Sequence, residues 1–297
     1  MLLVLTGVYA LFSGQNKTTH NERDALNLQM DLRVAMERVK YVVRHAGFGC
    51  EDSFADGDTL TMQDPANNFN TMTSFNGSLV VSNSPANGTS PDSLVVVYGV
   101  NSLGDLGNAT TAGTKFDIPA DHTPKLDPGN SVGWVSFLQR PFGDHFHQLS
   151  SCDSSGGCTL TPGVSDLQNG TEVFLVSPVR IQVDGNTLQF ENFAYNKATY
   201  PSYQSYFDFV GNVQDLQFLY TTDGTSWTDN PANPDEVEGV WICLLGRSAE
   251  PLQDYEDTRT YGYFCNATGA RYTVGPFNDA FKRKVIEAKV WIRNRND

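Results

Sequence analysis

Asn21-Glu-Arg-Asp-Ala-Leu-Asn-Leu-Gln-Met-Asp-Leu-Arg-Val-Ala-Met-Glu-Arg-Val-Lys-Tyr-Val-Val-Arg-His-Ala46 is the stretch that decides the fold. Within it Leu28, Leu32, Ala35, Val39, Val42 and Ala46 recur at intervals of four and three, which lays one apolar stripe along a helix. Arg33, Glu37, Arg38, Lys40 and Arg44 take the other faces, and Gly47 and Gly49 supply the stop. A stripe of this kind packs on one partner, so Leu28, Leu32, Ala35, Val39 and Val42 are expected to meet a sheet.

Upstream, Met1-Leu-Leu-Val-Leu-Thr-Gly-Val-Tyr-Ala-Leu-Phe12 is apolar on every side before the chain turns polar at Ser13-Gly-Gln-Asn-Lys17. Twelve helical residues rise about 18 Å, against a hydrocarbon core of about 30 Å, so this segment does not span a bilayer alone. A secretory signal peptide is a poor match: no basic residue precedes the run, and Leu11-Phe12-Ser13 is not a small-x-small cleavage site. Residues 1–46 read as one helix whose start enters lipid and whose end packs on a domain. The plainer alternative is a core helix with a frayed apolar start. Leu2, Leu3, Val4, Leu5, Val8, Tyr9, Leu11 and Phe12 are the expected membrane-facing set. The division is 1–23 as a truncated anchor with its exit, and 24–297 as a globular domain.

After the helix come short β-prone runs between turn signals: Ser78–Ser82, Ser93–Tyr98, Val132–Leu138, Glu172–Val176, Val179–Val183 and Thr187–Phe190. Asp184-Gly-Asn186 and Thr221-Thr-Asp-Gly224 read as hairpin turns, the second joining Val213–Tyr220 to Thr225–Trp227. In the last run Ile286, Ala288, Val290 and Ile292 face one way, Glu287, Lys289 and Arg293 the other. Residues 51–76, 101–130 and 228–238 read as loops, rich in Asn, Asp, Pro and Gly. The fold class is α+β: a long N-terminal helix packed on antiparallel sheet.

The 297-residue chain carries 20 basic and 34 acidic residues, a formal net charge of −14. Such a surface repels phosphate backbones, which excludes nucleic acid as the expected partner. Five cysteines include no CxxC pair. Cys152 and Cys158 flank Asp-Ser-Ser-Gly-Gly, a spacing that suits a disulfide-closed loop in an oxidising compartment. Cys243 and Cys265 form a second candidate pair. Cys50 is then unpaired, or the alternative partner of Cys152 or Cys158.

No cofactor is expected. His145 and His147 share a face if Asp144–His147 is a strand, and with Cys152 and Cys158 they are the nearest thing to a zinc set. In an oxidising compartment those cysteines bond each other. Glu51, Asp52, Asp56 and Asp58 crowd a Gly-containing loop that would offer hard oxygens to calcium. Their order is not that of an EF-hand, and a solvated acidic loop is the commoner outcome. Nucleophile-elbow, Walker A and dinucleotide glycine signatures are absent, so no enzyme activity is expected.

Four blocks carry a resemblance. The helix end Met36-Glu-Arg-Val-Lys-Tyr-Val-Val-Arg-His-Ala-Gly-Phe-Gly-Cys50 resembles the helix exit of PilW-type minor pilins of type IV pili. Val213-Gln-Asp-Leu-Gln-Phe-Leu-Tyr220 is similar to that family's strand before a variable hairpin. Val240-Trp-Ile-Cys-Leu-Leu-Gly-Arg-Ser248 is similar to its strand ending Leu-Leu-x-Arg-Ser. Phe281-Lys-Arg-Lys-Val-Ile-Glu-Ala-Lys-Val-Trp-Ile-Arg-Asn-Arg295 resembles its closing strand. Residues 51–210 contain no matching block.

The resemblance implies a non-catalytic subunit at the filament tip that primes assembly. Its partners would be other minor and major pilins, through the N-terminal helix, and a tip adhesin. It would sit in the inner membrane with a periplasmic domain before assembly, then in the extracellular pilus. Two rival functions are a J-type pseudopilin of type II secretion and a membrane-tethered secreted hydrolase or binding module. One departure concerns the family's leader, with Gly at the cleavage site and Glu at the fifth mature position: neither is present, and Leu5 stands where a naive count wants the carboxylate. On the order of a dozen residues are therefore expected ahead of Met1. Sequencing the DNA upstream checks this: an in-frame stop directly before Met1 would contradict it.

Overall fold

A computed structural model of the chain describes residues 2–50, 60–63, 72–82, 90–105, 115–117, 133–137, 146–152, 157–161, 172–193, 206–265 and 271–292. One helix, α1 (Leu2–Arg44), runs unbroken through the apolar start and the striped end. It stops in two i−3 turns, His45 N–H to Val42 O and Ala46 N–H to Val43 O. Gly47 then adopts φ +79°, and its N–H leaves the helix to bond Val97 O at 2.9 Å.

The strands are β1 (Leu60–Gln63), β2 (Met72–Phe75), β3 (Leu79–Ser82), β4 (Ser93–Asp105), β5 (Lys115–Asp117), β6 (Gly133–Phe137), β7 (His147–Cys152), β8 (Gly157–Thr161), β9 (Glu172–Asp184), β10 (Thr187–Asn192), β11 (Tyr206–Gly211), β12 (Val213–Thr221), β13 (Gly239–Arg247), β14 (Tyr261–Cys265), β15 (Arg271–Val274) and β16 (Arg283–Trp291). Every strand pair among the described residues is antiparallel. The larger sheet has nine strands, with β9 pairing β4 along one edge and β10 and β6 along the other. The second sheet is β12-β13-β16, and β1-β2 and β14-β15 form separate pairs.

Several elements differ from the sequence reading. Glu172–Val176 and Val179–Val183 are one strand, β9, that runs through Pro178. The proline costs no bond to β4, because its partner Val97 donates to Ser78 O and accepts from Gly47. Towards β10 the ladder has ended at Val179↔Asn192. The 51–76 loop contains β1 and β2, β4 extends into the 101–130 stretch, and β5 lies within it. Thr225–Trp227 is not a strand; the chain closes instead by a bridge from Tyr220 to Thr228. The Gly185-Asn186 turn has φ +55° and +68°, the geometry of a two-residue hairpin.

The core lies between the striped end of α1 and both sheets. Leu28, Leu32, Ala35, Met36, Val39, Val42, Val43 and Ala46 are buried. They join Leu94 and Val96 of β4, Ile181 of β9, Leu188 of β10, Leu216, Phe218 and Tyr220 of β12, Ile242 and Leu244 of β13, and Val290 of β16. The helix approaches β13 where the sheet carries Gly246: a Cβ there would fall 2.7 Å from Leu32 and 2.9 Å from Leu28. Asp92 joins the two sheets. Its N–H donates to Leu216 O at 2.7 Å and its Oδ2 accepts from Phe218 N–H at 2.9 Å, so a side chain satisfies the edge of β12 where a strand would otherwise be needed.

Candidate functional site

Helix α1 carries a second apolar row, opposite the first. Leu26, Met30, Val34 and Tyr41 follow one another at intervals of four, four and seven, and each is exposed, Met30 to 64% and Val34 to 54%. On a helix of about 3.6 residues per turn they lie roughly half a turn from Leu28, Leu32 and Val39. Beyond the polar stretch Ser13–Asp24 the same face carries Phe12 and Val8, with Val4, Tyr9 and Leu11 exposed around them, Tyr9 to 78%. The side chains of Leu2, Leu3 and Leu5 lie outside the described residues. A helix that is apolar on two opposite faces needs two partners, and this domain supplies one.

Polar contacts fix the helix on the domain and leave that face open. Lys17 Nζ meets Asp254 Oδ2 at 3.0 Å, and Lys284 Nζ donates to Gln29 Oε1 at 2.8 Å. Arg38 sits over the rings of Phe190 and Tyr41, its Cζ 5.6 and 5.4 Å from their centroids. Lys40 pairs with Glu37 at 2.7 Å. Exposed pairs such as Lys17–Asp254 contribute little energy. Among the described residues no helix is long and apolar enough to cross a membrane.

The four blocks of family-like sequence come together in space. One is the end of α1; the other three are β12, β13 and β16, the whole second sheet, on which that helix packs. Most of the described residues of the unmatched 51–210 stretch lie in strands of the nine-stranded sheet.

The other candidate groups are less gathered. Glu51, Asp52, Asp56, Asp58 and His145 lie outside the described residues. His147 starts β7, with only its backbone described. Among the described residues no cluster of three His, Cys, Asp or Glu could hold a metal ion. Cys50 is buried beneath β4, its Sγ directed at Val97 O at 3.9 Å. Cys243 is buried on the outer face of β13 with Leu219, Tyr263 and Phe264. Cys265 ends β14, its side chain outside the described set.

Cys152 and Cys158 stand directly opposite each other in the β7–β8 register. Cross-strand partners have Cα atoms about 4.5–5.5 Å apart, within the range a disulfide spans. In an oxidising compartment the two are expected to be bonded. Mass spectrometry of unreduced peptides checks this, and free thiols at both positions would contradict it.

Sequence reading missed an ionic cluster at the foot of the second sheet. Arg283, buried on β16, donates to Asp257 Oδ2 (3.2 Å), to both oxygens of Asp279 (2.6 Å each), to Phe281 O (3.2 Å) and to Gln214 Oε1 (2.7 Å). The Phe277 ring covers its guanidinium at 3.8 Å. Burial works to raise the Asp257 carboxyl, but hydrogen bonds from Tyr261, Arg259 and Arg283 together hold it below the usual range. Arg283 does the same to Asp279, against a smaller desolvation penalty. With every guanidinium nitrogen of Arg283 engaged inside the domain, the cluster reads as structure holding the 255–283 segment to the sheet.

No protein-family model matches the chain, and no curated protein sequence does. Among solved structures, a type IV-like pilin from Thermus thermophilus aligns over 91% of this chain and 98% of its own, at 12% identity and a TM-score of 0.43. The chain's own architecture is α+β, with one long N-terminal helix on antiparallel sheets.

Proposed function

We propose that the chain is a non-catalytic, pilin-type structural subunit whose helix α1 packs against the helices of neighbouring subunits in a filament. The observation that carries the reading is the second apolar row: Leu26, Met30, Val34 and Tyr41 face away from the sheet-packed side of the helix, on the same face as Phe12 and Val8 of the apolar start. Left in water this surface is costly, at about 25 cal/mol per Å2 of apolar area. Helices of like subunits cover such a row along its whole length, as lipid covers the apolar start before assembly.

The four sequence blocks support the same reading, since α1 with β12-β13-β16 is the part of the chain that resembles PilW-type minor pilins. On this reading the nine-stranded sheet is an elaboration carried on that frame. Minor-pilin placement at the filament tip, with major and minor pilins as partners, is the finer form of the proposal. The experiment is an immunoblot of surface filaments sheared from the native cell. The chain is expected in the filament fraction at a small share of the major subunit, and Met30→Asp should remove it from that fraction while leaving it in the cell. A chain confined to the cell envelope would contradict filament incorporation and favour a secretion-system role.

A further inference from the structure

The outer face of the second sheet, away from α1, carries three tryptophans. Trp291, at the end of β16, is 45% exposed and stands directly opposite Gly239 in the β13–β16 register. A Cβ at Gly239 would fall 2.9 Å from Cε3 and Cζ3 of the indole, and one at Gly224 would lie 3.5 Å from Cη2. The benzenoid ring thus rests over two residues that have no side chain, which fixes it against the sheet. Trp227 stands next to it, ring centroids 6.2 Å apart and planes inclined at 54°, so the two indoles form the walls of a shallow V. Trp227 is braced in turn by Trp241, edge to face at 5.5 Å and 75°. The Lys289 ammonium lies 4.7 Å and 4.2 Å from the ring centroids of Trp227 and Trp241.

A polar rim borders the V. Asp223 precedes Gly224, and its Oδ1 accepts from Thr221 Oγ1 (3.0 Å), Thr225 N–H (2.8 Å) and Ser226 N–H (2.7 Å). These bonds, that from the Ser226 backbone first, hold the carboxyl far below its ordinary range, so it is an ionised acceptor fixed in the turn next to Gly224. Lys289 supplies donors on the other side, two residues before Trp291 on the same face of β16.

We propose that the Trp227–Trp291 notch binds a saccharide, one face of a neutral hexopyranose lying on Trp291 with its hydroxyls reaching Asp223 and Lys289. The chemistry selects this class. A sugar ring presents C–H groups to an aromatic face and hydroxyls around its edge, which is the complement of an apolar floor bordered by a fixed acceptor and an ammonium donor. The floor is two indoles wide, far below the roughly 800 Å2 per partner of a stable protein interface. The net charge of −14 disfavours a polyanion. The simpler account of Trp291 is that it only shields Gly239, an aromatic ring covering a cross-strand glycine. The two accounts separate experimentally.

The full chain is applied to an array of immobilised neutral and acidic glycans, and a retained glycan is then titrated in free form against tryptophan emission. Neutral glycans sharing one terminal hexose are expected to be retained, and the emission to change on titration. Trp291→Leu, which still covers Gly239, should weaken binding at least about tenfold at an unchanged melting midpoint. Trp291→Tyr, which keeps a stacking plane, should retain it. No retained neutral glycan, or a Trp291→Leu chain that binds like the wild type, overturns the proposal. Should Trp291→Leu melt early, the wild-type titration decides alone, and emission unchanged at saturating sugar overturns it.

Discussion

Val39→Asp is expected to destabilise the domain by about 4 kcal/mol and to lower its melting midpoint by roughly 10 °C at neutral pH. Val39 is fully buried in the cluster shared by α1 and both sheets. A carboxylate there would have no partner among its neighbours in sequence, because Arg38 is stacked on Phe190 and Tyr41 and Lys40 is paired with Glu37. Burial would raise the new carboxyl's pKa, so the folded state would bind the proton more tightly than the unfolded chain. The loss of stability should therefore grow as pH rises from about 4 to 7. Val34→Asp, five residues earlier on the exposed row, should cost less than about 0.5 kcal/mol. Thermal melts of both variants at two pH values measure the contrast. Equal effects would mean that the two faces of the helix are not different.

Arg283→Leu is expected to cost about 3–5 kcal/mol, because it leaves Asp257, fully buried, and Asp279 without their shared cation. The same cluster predicts acid sensitivity. Both carboxyls are held below their ordinary range in the fold, so the stability they contribute is complete above the unfolded carboxylate pKa of about 3.9 and is lost as pH falls through their folded values. Urea midpoints should thus drop between about pH 5 and pH 2 in the wild type and drop less in Arg283→Leu. A variant with the wild-type midpoint at pH 7 would show that the cluster is not what holds the 255–283 segment.

The parts of this architecture that a single sequence reveals are those fixed by local period. Leu28, Leu32, Ala35, Val39 and Val42 repeat at helical spacing along α1, and Ile286, Ala288 and Val290 alternate over one strand; each of these patterns is set by one element and one partner. Leu26, Met30 and Val34 repeat just as regularly, but a row read only as apolar does not say which face meets the sheet. The passage of β9 through Pro178 is hidden in the sequence because it depends on where the bonds of Val97 go, and those go to Ser78 and Gly47. β1 and β2 sit among Asn, Asp and Pro residues that read as loop, and are strands because they pair with each other. The Arg283 cluster joins Gln214, Asp257 and Asp279, and the Trp291 notch depends on its register with Gly239. Both are products of topology, which period does not encode.

The assembly reading requires α1 to have one face that belongs to the domain and an N-terminal arm, apolar at its start, that does not. The direct test is a pair of thermal melts in the same detergent, of the full chain and of a chain lacking residues 1–23. The account predicts cooperative unfolding in both, with midpoints within about 3 °C, since the arm meets the domain through exposed pairs such as Lys17–Asp254. A midpoint lower by about 10 °C or more, or the loss of cooperative unfolding, would place the arm in the core of the domain and contradict the assembly reading.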